Sequence, residues 1–148
     1  MRELCRLEGS QISQNTTNKS EIIKLQTKDL VIVFQTDNHQ RLGMVYMGDK
    51  LNDDNEYAQI RSAYRYDGAN EGIFHMAHTP SGTWNLGEPA LSLIHSDGNT
   101  STELLYDSHK TESNMSNVST TSIVLIDPVY KTKVVLKYKL FYEENVVE

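Results

Sequence analysis

Residues 132–142 alternate with a period of two: Val134, Leu136, Tyr138, Leu140 and Tyr142 fall on one side, and Lys133, Lys137 and Lys139 on the other. Only an extended strand places every second side chain on the same face. A strand with one apolar and one charged face belongs to an antiparallel sheet whose dry side needs a second layer. This run therefore points to sheet packed on sheet.

The rest of the chain is consistent with that demand. Residues 22–25 (IIKL) read as a short strand, and Lys28-Asp29 as a turn. Residues 30–34 (LVIVF) are almost wholly apolar and β-branched, which predicts a strand buried on both faces. Asp37-Asn38-His39-Gln40 is turn chemistry, and residues 42–47 form the returning strand of a hairpin. Further strands are expected over 91–95, 102–108 and 120–126. The turns between them are Ser96-Asp97-Gly98-Asn99, the polar stretch 114–117, and Asp127-Pro128. No segment keeps a helical period over three turns. The fold class predicted is all-β, an antiparallel β-sandwich. Residues 9–20 are polar and small, so 1–20 reads as a flexible leader, with the sandwich over 21–148. Residues 143–148 follow the last strand without a recognisable closing turn, so the sheet is expected to be unfinished there and to want further strands or a partner.

Residues 48–90 break the pattern. The stretch is long, has no steady period and holds Gly48, Gly68, Gly72, Gly82 and Gly87. Long irregular segments in compact domains are commonly functional. It carries Trp84, the only tryptophan, whose ring is either a platform for the apolar face of a sugar or a plug against the sheet. Tyr46, Tyr57, Tyr64 and Tyr66 add aromatic surface close by in sequence, most of it read as packing.

Composition excludes several classes. Fourteen basic against twenty acidic residues give a net charge of −6, which repels nucleic acid and leaves neutral ligands open. No run of about 18 apolar residues is present to span a membrane, and the first residues lack the apolar core of a signal peptide. Cys5 is the only cysteine, so no internal disulfide forms. Carboxylates are numerous (Asp53, Asp54, Glu56, Asp67, Glu71, Glu88, Asp97, Glu103), but none sits in a motif of a nucleophile or acid. His75 and His78 lie three apart, a zinc spacing on a helix, yet neighbouring glycines argue against a helix and no third ligand is identifiable. No Gly-x-Ser-x-Gly elbow, phosphate loop or dinucleotide fingerprint occurs. No cofactor and no metal are expected. Asn-x-Ser/Thr triplets at Asn15, Asn18, Asn99, Asn114 and Asn117 are weak signals in a chain this rich in these residues.

Three segments in order resemble the N-terminal domain of glycoside hydrolase family 36 α-galactosidases. LGMVYMGDKL (42–51) is similar to the strand and turn that close the family's early hairpin. GEPALSLIHSDGNTSTELLYDSH (87–109) resembles its Pro-Ala strand, Asp-Gly turn and strand ending in Ser-His. IDPVYKTKVVLKY (126–138) resembles its Asp-Pro hairpin. The resemblance implies part of a β-supersandwich of the galactose-mutarotase-like kind, set before a (β/α)₈ barrel that holds two catalytic aspartates. Neither aspartate has a counterpart in this chain, so no catalytic residue is expected. The implied partners are α-galactoside sugars, the catalytic barrel and further copies of the chain. The resemblance also implies that an acid after the turn, Asp53 or Asp54, reaches sugar hydroxyls by charge-assisted hydrogen bonds. With Trp84, these are the candidate substrate-binding residues. The competing readings are a free-standing carbohydrate-binding module built around Trp84, and a β-domain that binds no ligand.

Overall fold

The computed structural model describes residues 20–60, 76–83 and 88–148. Seven strands and one short helix lie along them: β1 (Ile22–Gln26), β2 (Leu30–Thr36), β3 (Leu42–Asp49), α1 (Asn55–Ile60), β4 (Leu105–Met115), β5 (Val118–Ile126), β6 (Lys133–Phe141) and β7 (Val146–Val147). Strands β1-β2-β3 form one antiparallel sheet and β4-β5-β6-β7 a second.

The two sheets close on one core. Ile23, Leu25, Ile32, Phe34 and Leu42 from the first meet Leu104, Ile123, Leu125 and Leu140 from the second side. Phe34 and Tyr138 touch across the interface, with ring centroids 5.1 Å apart. The predicted sandwich is the observed architecture. The alternation in β6 holds as well: Val134, Leu136, Tyr138 and Leu140 are the more buried set, and Lys133, Lys137 and Lys139 are exposed. Tyr142 departs from it at 45% exposed, because the strand ends at Phe141 and the chain turns.

β2 is covered on both faces, as its apolar run demands. Ile32 and Phe34 face the sandwich. Val31 and Val33 face outward, where Tyr57 of α1 seals them together with Val45, Tyr46, Leu51 and Ile60. A bulge between Val33 and Phe34 makes Val45 the extra residue of β3 and sets Val45 and Tyr46 both against this outer cluster.

Three expectations need correction. Residues 91–95 do not form a strand: Leu91 makes only an isolated parallel bridge to Pro80. At its start the backbone bonds go instead to the 79–81 loop, while the His95 backbone bonds within the 95–99 turn. Ser81 N–H donates to Leu91 C=O, Ala90 N–H to Thr79 C=O, and Thr102 N–H to Ser81 C=O. The loop thus intercepts both arms of the hairpin read at 91–108. The Asp-Gly turn itself is present, with Gly98 at φ +85°. The strand expected over 102–108 begins only at Leu105 and runs on to Met115, since β5 supplies pairing partners along its whole length. Finally, residues 142–145 do turn, and β7 pairs back on Leu140 and Phe141.

That last turn ties the sheets together through Asn145, which adopts φ +55°. Its Oδ1 accepts from Thr27 Oγ1 at 3.0 Å and from Asp29 N–H at 2.8 Å, and its Nδ2 donates to Asp29 Oδ2. Lys28 N–H donates to Tyr142 C=O beside it. Asn145→Ala removes three hydrogen bonds and strains the left-handed backbone. It is expected to cost about 2–3 kcal/mol in a urea unfolding titration, with Asn145→Gly recovering the smaller backbone part.

The polar leader expected over 1–20 lies outside the described residues except for Ser20, whose Oγ donates to Thr36 C=O. Among the described residues no helix is long and apolar enough to cross a membrane.

Candidate functional site

The acidic loop sits between β3 and α1. Asp53 opens the helix: its Oδ1 accepts from Asn55 N–H and Asn55 Nδ2, and its C=O accepts from Glu56 N–H. An aspartate before a helix start does this because the first N–H groups have no partner within the helix. Asp54 reaches back over the outer face of the first sheet, where its Oδ2 pairs with Lys24 Nζ at 2.8 Å. That bond holds the exposed Asp54 carboxyl below its ordinary range. Lys24 also lies 5.9 Å above the Tyr57 ring. Tyr57 is 2% exposed, and its Oη accepts from Leu51 N–H at 2.9 Å, so one aromatic plug fixes both ends of the loop. The predicted candidates Asp53 and Asp54 are thus side by side on a braced loop. Trp84 lies outside the described residues.

A second feature was not legible as a site. A cavity of about 400 Å³ opens where the β2–β3 turn, the 82–83 segment, the 99–103 segment and the β5–β6 turn converge. Neither Asp53 nor Asp54 lines it. Arg41 enters from the end of β3 opposite to the acidic loop. Asp37, 7% exposed, fixes it: its Oδ1 accepts from the N–H groups of His39 and Arg41, and its Oδ2 from Arg41 Nε, each at 2.8 Å.

The opposite wall is the Asp-Pro turn. Asp127, 2% exposed, accepts from Val129 N–H and Tyr130 N–H on Oδ1 and from Glu103 N–H on Oδ2. Burial raises its pKa, but the bonds from Tyr130, Glu103 and Val129 outweigh burial and leave it lowered. Tyr130 lies flat on His95, with ring centroids 3.5 Å apart and planes 8° from parallel. Its Oη donates to Asp97 Oδ2 and accepts from Asn99 Nδ2, both at 2.8 Å. The Asn99 bond lowers the phenol's pKa, while Asp97 and burial raise it, with a net upward shift. Tyr130 therefore stays a neutral donor. Asp97 is held low, first by Asn99 N–H and then by Tyr130. His95 Nε2 lies 3.0 Å from Thr102 Oγ1.

Gly82 sets the remaining wall. At φ +84°, a Cβ on it would stand 2.5 Å from Ser101 Cβ and 2.6 Å from Ser101 Cα. Gly82→Ala is expected to push the two loops apart and to cost about 1–3 kcal/mol, read as a lowered midpoint in thermal unfolding. The sequence signals for this cavity were the Asp-Asn, Asp-Gly and Asp-Pro turns. Each was readable as a turn, but their convergence was not.

His78 is half-buried, and burial pushes its imidazole below the usual pKa; His75 lies outside the described residues. Among the described residues no three His, Cys, Asp or Glu side chains cluster closely enough to hold a metal ion.

A family model described as the glycosyl hydrolase family 36 N-terminal domain matches residues 40–148. The chain belongs to that family. The match begins at the β2–β3 turn and takes in the acidic loop and every described wall of the cavity. Solved galactosidase structures share the fold of this domain. An α-galactosidase from Lactobacillus brevis superposes with a TM-score of 0.70 at 19% identity, covering 85% of this chain and 20% of its own. The α-galactosidase AgaA from Geobacillus stearothermophilus, as a variant in complex with 1-deoxygalactonojirimycin, gives 0.72 at 20% identity, covering 86% and 21%. The galactosidase domain of the α-galactosidase–sucrose kinase AgaSK gives 0.67 at 22% identity, covering 85% and 21%. This family 36 N-terminal domain thus spans about a fifth of the length of the structures it resembles. No curated protein matches it significantly.

Proposed function

We propose that the chain acts as the non-catalytic N-terminal domain of an enzyme that hydrolyses terminal α-galactosides. It scaffolds the catalytic barrel and shapes the entrance to the site. The observation that carries this reading is the family match over 40–148, supported by structural neighbours that are α-galactosidases. Its partners are then α-galactoside sugars, the barrel and further copies of the domain.

The acidic loop is where the domain meets sugar in this reading. Lys24 keeps the Asp54 carboxyl ionised, and an ionised carboxylate accepts stronger hydrogen bonds from hydroxyls than a neutral one. Asp53 and Trp84 complete the proposed contact. In the enzyme that carries this domain, Asp54→Ala is expected to raise KM for raffinose while kcat changes little, the pattern of lost uniform binding. An unchanged KM for both Asp53→Ala and Asp54→Ala would remove the sugar-contact role.

The wider reading is tested with a chromogenic α-galactoside. The 148-residue chain alone is expected to leave it intact, and the activity is expected to require a barrel with paired aspartates. Turnover by the chain alone would sink the proposal.

A further inference from the structure

We propose that the cavity between Arg41 and Tyr130 binds a neutral, hexose-sized polyhydroxyl ligand. The proposal concerns a different end of the domain from the acidic loop and does not depend on the α-galactoside reading.

Size is the first argument. The volume of about 400 Å³ falls within the roughly 300–1,000 Å³ typical of small-molecule sites. The second is the chemistry of the walls. Arg41 and Asn99 bring N–H donors, Glu103 brings an acceptor, and the exposed Ser101 hydroxyl does both. A sugar hydroxyl donates and accepts at once, so it matches a lining of mixed donors and acceptors. Tyr130 is stacked on His95 through one ring face, which leaves the other for the C–H face of a pyranose.

Charge selects among ligands. Arg41 is already paired with Asp37, so Glu103 and Asp127 leave the walls with no surplus positive charge, on a chain of net −6. A polyanion would meet repulsion there, and a purely apolar molecule would strand the polar groups.

The third argument is preorganisation. Asp37 holds Arg41 through its Nε and backbone. Asp97, Asn99 and the stacked His95 hold Tyr130. Asp127 ties the Tyr130 turn to Glu103. These walls are ordered before a ligand arrives, so binding loses little side-chain freedom.

The test is a titration of the isotopically labelled 148-residue chain, followed through its amide ¹H–¹⁵N spectrum. The probes are galactose and glucose, with glycerol and galacturonate as controls. Saturable shifts at residues 99–103 and 127–130 with either hexose are expected, at millimolar sugar. Glu103→Gln, an exposed isosteric change, is expected to weaken binding about tenfold while the other resonances stay in place. Tyr130→Phe keeps the ring and removes the phenol, and is expected to weaken it less. Four outcomes would overturn the proposal: no saturable shift with either hexose, shifts confined to residues 52–56, glycerol acting as strongly as the hexoses, or galacturonate binding as tightly as galactose.

Discussion

Tyr57→Ala is expected to lower folding stability by about 3–5 kcal/mol, the range for removing a large aromatic from a packed site. Tyr57 is 2% exposed and is the cover over Val31 and Val33 on the outer face of the first sheet. Its ring packs on Tyr46 with centroids 5.5 Å apart. Removing the ring opens a void on a face of β2 that is otherwise apolar, and water entering there meets valines. The Leu51 N–H also loses its acceptor. Tyr57→Phe keeps the ring and loses only that bond, so about 1 kcal/mol is expected. Urea titration of both variants measures the difference. The local consequence is equally specific. With the plug gone, α1 has little to hold it, because six residues are too few for a helix to stand alone. Hydrogen exchange at residues 55–60 should accelerate in Tyr57→Ala well beyond the global change, and remain near wild type in Tyr57→Phe.

Asp127→Ala is the second large effect, about 2–3 kcal/mol, since three backbone N–H groups lose a charged acceptor. Asp127→Asn keeps Oδ1 but turns the group facing Glu103 N–H into a donor, so it recovers only part. The acid dependence separates electrostatics from shape. The folded pKa of Asp127 lies below the ordinary 3.8. Its contribution is therefore fully present above that value and is lost as pH falls below it toward the folded value. Stability measured from pH 7 down to the acid limit should fall less steeply below about pH 4 in Asp127→Asn than in the parent, with Asp97 and other carboxylates supplying the remaining slope. Identical acid limbs in both proteins would contradict the role given to Asp127.

What was readable in advance followed from local periodicity. The five-residue apolar run of β2, the alternating β6 and the returning β3 each state in their own side chains which faces must be dry. The Asp-Gly and Asp-Pro turns were readable for a similar reason, because small side-chain acceptors capture N–H groups two or three residues on. Asp127 and Asp97 both do so. Residues 91–95 misled because apolar residues at alternate positions do not choose a pairing partner. The 79–81 loop takes backbone groups of Ala90 and Leu91, while His95 bonds to Asn99 across the turn. The acids of 52–56 stand out by family resemblance, and the pairing of Asp54 with Lys24 has no signature in sequence spacing. Lys24 lies thirty residues away.

By itself, the sequence determined that this chain builds a layered antiparallel sheet, because a period of two requires a dry face and no segment keeps a helical period over three turns to cover it. It also carried enough ordered motif to indicate the family. Only the tertiary structure decided which loops meet. The cavity draws on segments from Arg41 to Tyr130, and the Asn145 clamp joins Thr27 and Asp29 to the far end of the chain. Such contacts depend on how two sheets are stacked and aligned. That alignment is set by the summed packing of the whole interface, which no local pattern of residues encodes.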